Sequence, residues 1–229
     1  MKRLTRLFLT TAALAMVATP ATVSAQVNWT DWTAAVQGLS GSALGTLIVN
    51  GAPVTVRYSG EVGPTTQVDG LGTDYWAPGN AYAATGRPTG TDIIALTGGN
   101  QITNTIFFSE AVTNPIMAIL SLGQPTVMTY YNFIDAPFTI LGSGCGYWGG
   151  NCAGSLFTTS TADQLMGIEG HGVIQFSGTY KSISWTVPDP ENWHGFQVGV
   201  TATPEPASFV LLGTGLIGVF GVARRRRKA

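Results

Sequence analysis

The sequence predicts an all-β protein, an antiparallel β-sandwich of jelly-roll or lectin-like type, and three observations carry that expectation. Between residues 26 and 203, short segments rich in Val, Ile, Thr, Phe and Tyr recur, each closed off by Gly, Pro, Asn or Asp, as strands and turns require. No window there keeps a long apolar period of 3.6 residues, so helices are not expected to build the core. About ten strands can be placed, a number that suits two packed sheets, with a closed barrel as the alternative. The stretch is long enough for one domain that buries about 70% of its unfolded surface. With 45% hydrophobic and only 10% charged residues, the chain is unlike a disordered polar tract.

The elements follow in order. Lys2, Arg3 and Arg6 precede an apolar run from Leu7 to Ala18, and Val23-Ser24-Ala25 then leads into polar Gln26-Val27-Asn28. A basic end, a short apolar helix and small residues before a cut predict a signal peptide over residues 1–25, removed by signal peptidase. Residues 26–203 form the expected secreted domain. Its one expected helix is short, near Thr30 to Gln37. In the segment from Gly45 to Tyr58, Asn50-Gly51 supplies the two positive-φ residues of a tight hairpin. Further strands are expected at Asp92 to Leu96, Gln101 to Phe108, Ile116 to Leu122, Thr126 to Phe133 and Phe138 to Leu141. Leu156 to Thr159, Gly172 to Phe176, Tyr180 to Val187 and Gly195 to Thr201 complete the set, with Trp185 on the core side of its strand.

Cys145 and Cys152 are the only cysteines and bracket Gly146-Tyr147-Trp148-Gly149-Gly150-Asn151. In a segment that leaves the cytosol, a disulfide is their expected state. It would pin one loop, and it argues against Cys145 as a nucleophile, because the second thiol would consume the thiolate.

Residues 204–229 read as a tail. Pro204-Glu205-Pro206 is followed by seventeen uncharged residues, Ala207 to Ala223, and then by Arg224, Arg225, Arg226, Arg227 and Lys228. A helix over 207–223 would be about 25 Å long, just enough to cross a bilayer core. The basic end at 224–229 stays cytoplasmic, which leaves everything before it on the far side. Eight of the eleven basic residues lie at the two ends, so between Gln26 and Thr203 three basic residues face eleven acids, a net of −8. That acidic body disfavours nucleic acid as a partner.

Pro-Glu-Pro, a short apolar helix containing Gly, and a terminal arginine cluster together resemble the PEP-CTERM sorting tail of bacterial envelope proteins. The resemblance is confined to the tail. It implies exosortase as a processing partner, cleavage near Pro204 to Pro206, and a transient stay in the inner membrane. The protein would then reach the cell surface or the extracellular space of a Gram-negative-type bacterium, commonly one that makes exopolysaccharide and a biofilm matrix.

Catalytic signatures are missing: the sequence contains no G-x-S-x-G, H-E-x-x-H, Walker loop or helix-opening G-x-G-x-x-G. No catalytic residue, metal or cofactor is predicted. His171 and His194, with Glu169 and Glu191, could supply two histidines and two carboxylates, but their spacing does not single out a metal site. Asp69 and Asp74 lack the EF-hand pattern for calcium. Glu110, Asp135, Glu169, Asp189 and Glu191 are the acids from which a glycosidase pair would have to be drawn. The aromatics are the better clue. Trp76, Tyr147, Trp148 and Trp193 lie in segments rich in Gly, Pro, Asp and Asn, which read as loops. Rings there can stack on sugars, and the competing reading is ordinary burial. The expectation is a non-catalytic exported domain that binds polysaccharide or an envelope partner. The alternative is an exopolysaccharide-active glycoside hydrolase or lyase.

Overall fold

The computed structural model describes residues 26–202. The expected signal helix and transmembrane helix lie outside them. Fourteen strands follow one another: β1 (Val27–Trp29), β2 (Asp31–Val36), β3 (Gly38–Val49), β4 (Ala52–Val62), β5 (Ile94–Gly98), β6 (Asn104–Thr113), β7 (Ile116–Leu122), β8 (Thr129–Ile134), β9 (Phe138–Gly144), β10 (Leu156–Thr158), β11 (Gln164–Gly167), β12 (Gly170–Phe176), β13 (Thr179–Thr186) and β14 (Pro190–Thr201). They form two antiparallel sheets. One has six strands in the order β1-β14-β7-β12-β9, with β5 also on β14, and the other has eight in the order β10-β11-β8-β13-β6-β4-β3-β2. The architecture is all-β and sandwich-like, as the periodicity predicts, with no helix among the described residues.

Local chemistry explains the first hairpin. Asn50 and Gly51 adopt φ of 51° and 79°, and the turn they make sets Val49 opposite Ala52 and Leu44 opposite Arg57. The expected helix near Thr30 to Gln37 is instead β2, the edge strand of the larger sheet, with Asp31 opposite Thr46 and Val36 opposite Ser42. Its Ala-Ala-Val-Gln run suits a helix locally, but pairing with β3 and burial of Trp32, which is wholly enclosed, outweigh a propensity difference of only a few tenths of a kcal/mol per residue. The rest of β2 stays largely exposed because it is an edge.

The main core lies between the sheets. Val56 and Tyr58 of β4, Ile106 and Phe108 of β6, and Ile183 and Trp185 of β13 face Met117 and Ile119 of β7, Ile174 and Phe176 of β12, and Phe196 and Val198 of β14. Trp185 meets Phe196 edge to face with ring centroids 5.1 Å apart, which ties one sheet to the other. Each large apolar side chain enclosed in this way contributes on the order of 2 to 3 kcal/mol.

The two outer faces differ, and that difference positions the site. On β7, Met117 and Ile119 point inward, so Ile116, Ala118 and Leu120 point outward. These outward residues are buried too, in a second cluster with Val173 of β12 and with Trp76, Ala81, Tyr82 and Ile93 from the long connection between β4 and β5. Covering on both faces is why β7 reads as a continuous apolar run from Ile116 to Leu120. The Tyr82 hydroxyl donates to the Ile119 carbonyl at 2.9 Å, clipping the connection to the sheet. The larger sheet's outer face is left open: Leu44, Arg57 and Phe107 lie side by side on it and all three are exposed.

Candidate aromatic binding site

Cys145 and Cys152 are joined by a disulfide. Within the loop they close, the Gly146 N–H donates to the Gly149 carbonyl at 2.7 Å and the Gly149 N–H returns to Gly146 at 3.0 Å. Tyr147 and Trp148 are therefore the two residues at the tip of a miniature hairpin. Asn80 holds its base: its Oδ1 accepts the Cys145 N–H at 3.1 Å and its Nδ2 donates to the Cys152 carbonyl at 3.2 Å. Gly146 is needed at that base, because a Cβ there would lie 2.4 Å from Nδ1 of His171.

The tip meets two other segments. Tyr75, from the long connection, lies with its ring centroid 5.1 Å from Tyr147, 5.0 Å from Trp148 and 5.4 Å from Trp193. Tyr147 and Trp148 are 4.7 Å apart, and Trp148 and Trp193 4.9 Å. Four rings from three segments thus touch one another. Tyr147 and Trp148 remain 41% and 43% exposed, while Tyr75 and Trp193 are half-buried beneath them. At these separations no gap remains between rings for a cation, so the cluster is a platform rather than a cage.

Three of the four rings expected from loop composition, Tyr147, Trp148 and Trp193, are brought together, although Trp193 comes from β14 and not from a loop, because pairing with β7 and β5 draws its Pro- and Asn-containing segment into the sheet. Trp76 is not with them. It is enclosed in the second cluster, and its indole N–H donates to the Asp92 carbonyl at 3.2 Å. Its neighbour Tyr75 takes the place among the rings: the two residues sit in a turn, where the Tyr75 N–H donates to the Thr73 carbonyl and the Trp76 N–H to Asp74 Oδ1, and only the indole is turned inward.

Polar groups flank the platform. Asp74 pairs with Arg87 and its Oδ1 accepts the Trp76 N–H at 3.1 Å. Beneath the disulfide loop, Ser121, Glu169 and His171 form a buried group on the outer face of the six-stranded sheet. The Ser121 hydroxyl donates to Glu169 Oε1, the Ser121 N–H donates to His171 Nδ1 at 3.2 Å, and His171 Nε2 lies 3.6 Å from Glu169 Oε1. Burial raises the Glu169 carboxyl, but the hydrogen bond from Ser121 and the neighbouring His171 imidazole outweigh it and hold the group below its ordinary value.

The second acid–histidine pair lies elsewhere. Glu191 Oε1 accepts the Gly123 N–H at 2.8 Å and approaches His194 Nδ1 to 2.7 Å, out of line for a hydrogen bond. The His194 ring packs against Tyr131 of the opposite sheet, so it faces the core, whereas His171 faces the disulfide loop. Sequence proximity therefore gives two separate pairs. Among the described residues no group of three or more His, Cys, Asp or Glu could hold a metal ion. Of the other acids weighed as catalytic, Glu110 and Asp135 are exposed and Asp189 is half-buried, none of them against the rings.

No curated protein and no solved structure matches this chain. One family does: residues 202–227 match the PEP-CTERM protein-sorting motif. The match coincides with the tail that carries Pro204, Glu205, Pro206 and Arg224 to Arg227. The chain therefore carries a PEP-CTERM sorting tail, which marks it as an exported, membrane-transiting protein processed by exosortase and sorted to the cell surface.

Proposed function

We propose that residues 26–203 are a non-catalytic domain that binds polysaccharide at the cell surface or in the surrounding matrix of a Gram-negative-type bacterium, using the sandwich in a lectin-like way. The observation that supports this is the convergence of Tyr75, Tyr147, Trp148 and Trp193 on one face, with two rings about two-fifths exposed. Rings left in water forgo part of their burial free energy, on the order of 1 to 2 kcal/mol each, so a partner surface is their natural complement. Stacked aromatics match the apolar face of a sugar ring, while Glu169 and Asp74 supply acceptors beside them. Nothing specific favours the hydrolase or lyase alternative, since His171, the only histidine near the rings, is wholly buried.

The test is binding of the mature protein, recovered from cells, to exopolysaccharide extracted from the same cells and to soluble neutral glycans. Trp148→Ala and Tyr147→Ala should each weaken binding by about tenfold or more and lower the melting temperature by only about 2 to 6 °C, because both rings lie outside the inter-sheet core. Undiminished binding by the double variant would overturn the proposal.

A further inference from the structure

The acceptor beside the rings is built rather than incidental. Ser121 and Glu169 both hold positive φ, 56° and 50°, a conformation that costs a residue with a side chain on the order of 1 kcal/mol. At Ser121 it accompanies an irregularity in the β7–β12 ladder, where pairing jumps from Gly170↔Leu122 to Gly172↔Ile119. The extra residue turns the Ser121 hydroxyl onto Glu169 Oε1. Glu169 is 8% exposed, and its Oε2 accepts no hydrogen bond from the described residues.

This carboxylate lies against the loop that carries the rings. A Cβ on Gly150 would lie 2.8 Å from the Glu169 carbonyl and 3.6 Å from its Cγ, and Trp148 is two residues earlier. From the other side, β14 pairs Gly195 with Leu120, so Trp193, two residues before Gly195, lies beside the end of β7 that carries Ser121 and Leu122. The rings and this carboxylate therefore share the outer face of the six-stranded sheet, linked through the Gly149-Gly150 backbone of the loop.

Resting on the platform reading above, we infer that the ligand is an uncharged polyhydroxylated sugar chain, one unit of which stacks on Trp148 while its neighbouring hydroxyls donate to Glu169 Oε2. Charge decides the class. A uronate or sulfated glycan would bring its anions towards this carboxylate and into the field of a body that carries three basic residues against eleven acids. The one cation from the neighbouring segments, Arg87, is already paired with Asp74. A sugar hydroxyl, by contrast, makes a charge-assisted hydrogen bond to a carboxylate whose other oxygen is held in place.

Titration calorimetry of the mature protein tests this with gluco- and manno-hexasaccharides against hexasaccharides of mannuronate and galacturonate. The neutral sugars are expected to bind and the uronates not to. Glu169→Gln should weaken the neutral sugars about tenfold or more and narrow the discrimination against uronates. Ser121→Ala, which frees Oε1 without touching the charge, should weaken them several-fold and keeps the test open if Glu169→Gln does not fold. Uronates bound as tightly as neutral sugars would overturn the inference. So would unchanged neutral binding in Glu169→Gln or, where that variant does not fold, in Ser121→Ala, each checked by its melting curve. If either result accompanies a loss in Trp148→Ala, the inference falls and the platform stands. Full binding in Trp148→Ala, or no binding of any glycan by the wild type, removes the platform and the inference together.

Discussion

Trp148, at the tip of a disulfide-closed loop, and Trp193, on a strand of the six-stranded sheet, meet edge to face with centroids 4.9 Å apart and planes at 89°. Such a contact adds about 0.5 to 1.5 kcal/mol beyond the area it buries. It forms only because the loop lies across the sheet's outer face, with Gly146 on the ring of His171 and Gly150 on Glu169. The platform's geometry is therefore sensitive to how closely the loop base can approach the sheet.

Gly146 and Gly149 separate contact from conformation. A Cβ on Gly146 would meet the enclosed His171 ring at 2.4 to 2.7 Å, whereas one on Gly149 would meet nothing within 4 Å, although Gly149 holds φ of 97°. Gly146→Ala should destabilise by about 1 to 3 kcal/mol and abolish glycan binding as the loop lifts. Gly149→Ala should lose only about 1 kcal/mol, from backbone strain, and keep most of its binding. Chemical denaturation together with calorimetry reads both; equal losses of affinity would show that loop seating does not set the site.

The disulfide closes a loop of seven-residue sequence separation, for which chain entropy gives about 2 to 3 kcal/mol. Cys145→Ser with Cys152→Ser should lower the melting temperature by about 4 to 12 °C, taking 2 to 4 °C per kcal/mol for a domain this size. The tryptophan emission of the folded state should also shift as Trp148 leaves Trp193. A folded-state spectrum identical to the wild type would mean that Asn80 alone seats the loop.

Gln197 joins three segments of the core: its Oε1 accepts the Trp32 indole N–H at 2.7 Å and the Val198 N–H at 2.9 Å, and its Nε2 donates to the Thr30 carbonyl at 2.9 Å. Gln197→Leu leaves these buried groups without their partner and should cost about 3 kcal/mol. β2 is the first strand expected to fray, seen as faster amide exchange at Trp32. A loss below about 1 kcal/mol in urea denaturation would mean that the network is replaceable.

Glu61 predicts the response to acid. Burial raises its carboxyl, but the Thr97 hydroxyl and N–H, the Asn100 amide and the Gly98 N–H outweigh burial and hold it below the ordinary value. A carboxyl lowered by folding binds protons less readily than in the unfolded chain. Its stabilisation is therefore complete above the unfolded value and is lost as pH falls through the folded one. Glu61→Gln should be less stable at neutral pH and should lose less on acidification, so the two unfolding curves converge. A gap between them that stays constant from pH about 7 to about 3 would assign the acid sensitivity elsewhere.

Much of the strand pattern could be read from alternation and turn residues. Ile116 to Leu122 matches β7 residue for residue, and Asn50-Gly51 makes the expected turn. Three strands could not be read that way. β1 and β11 are three and four residues long, and β11 exists through its pairing with β8 and β10. β2 carries a helix-like composition that only its partner β3 overrides.

The chain by itself determined its export tail, its all-β class, the cysteine pair and the loop origin of Tyr147 and Trp148, because each is written in neighbouring residues. Tertiary structure alone decided that Trp76 would be enclosed and Tyr75 would join the rings, that Glu169–His171 and Glu191–His194 would face opposite sides of one sheet, and that Trp193 would meet the loop from a strand. The physical reason is that burial and ring contact are relations between segments far apart in the sequence, set by which strands pair and which outer face the long connection covers, and no local pattern carries that information.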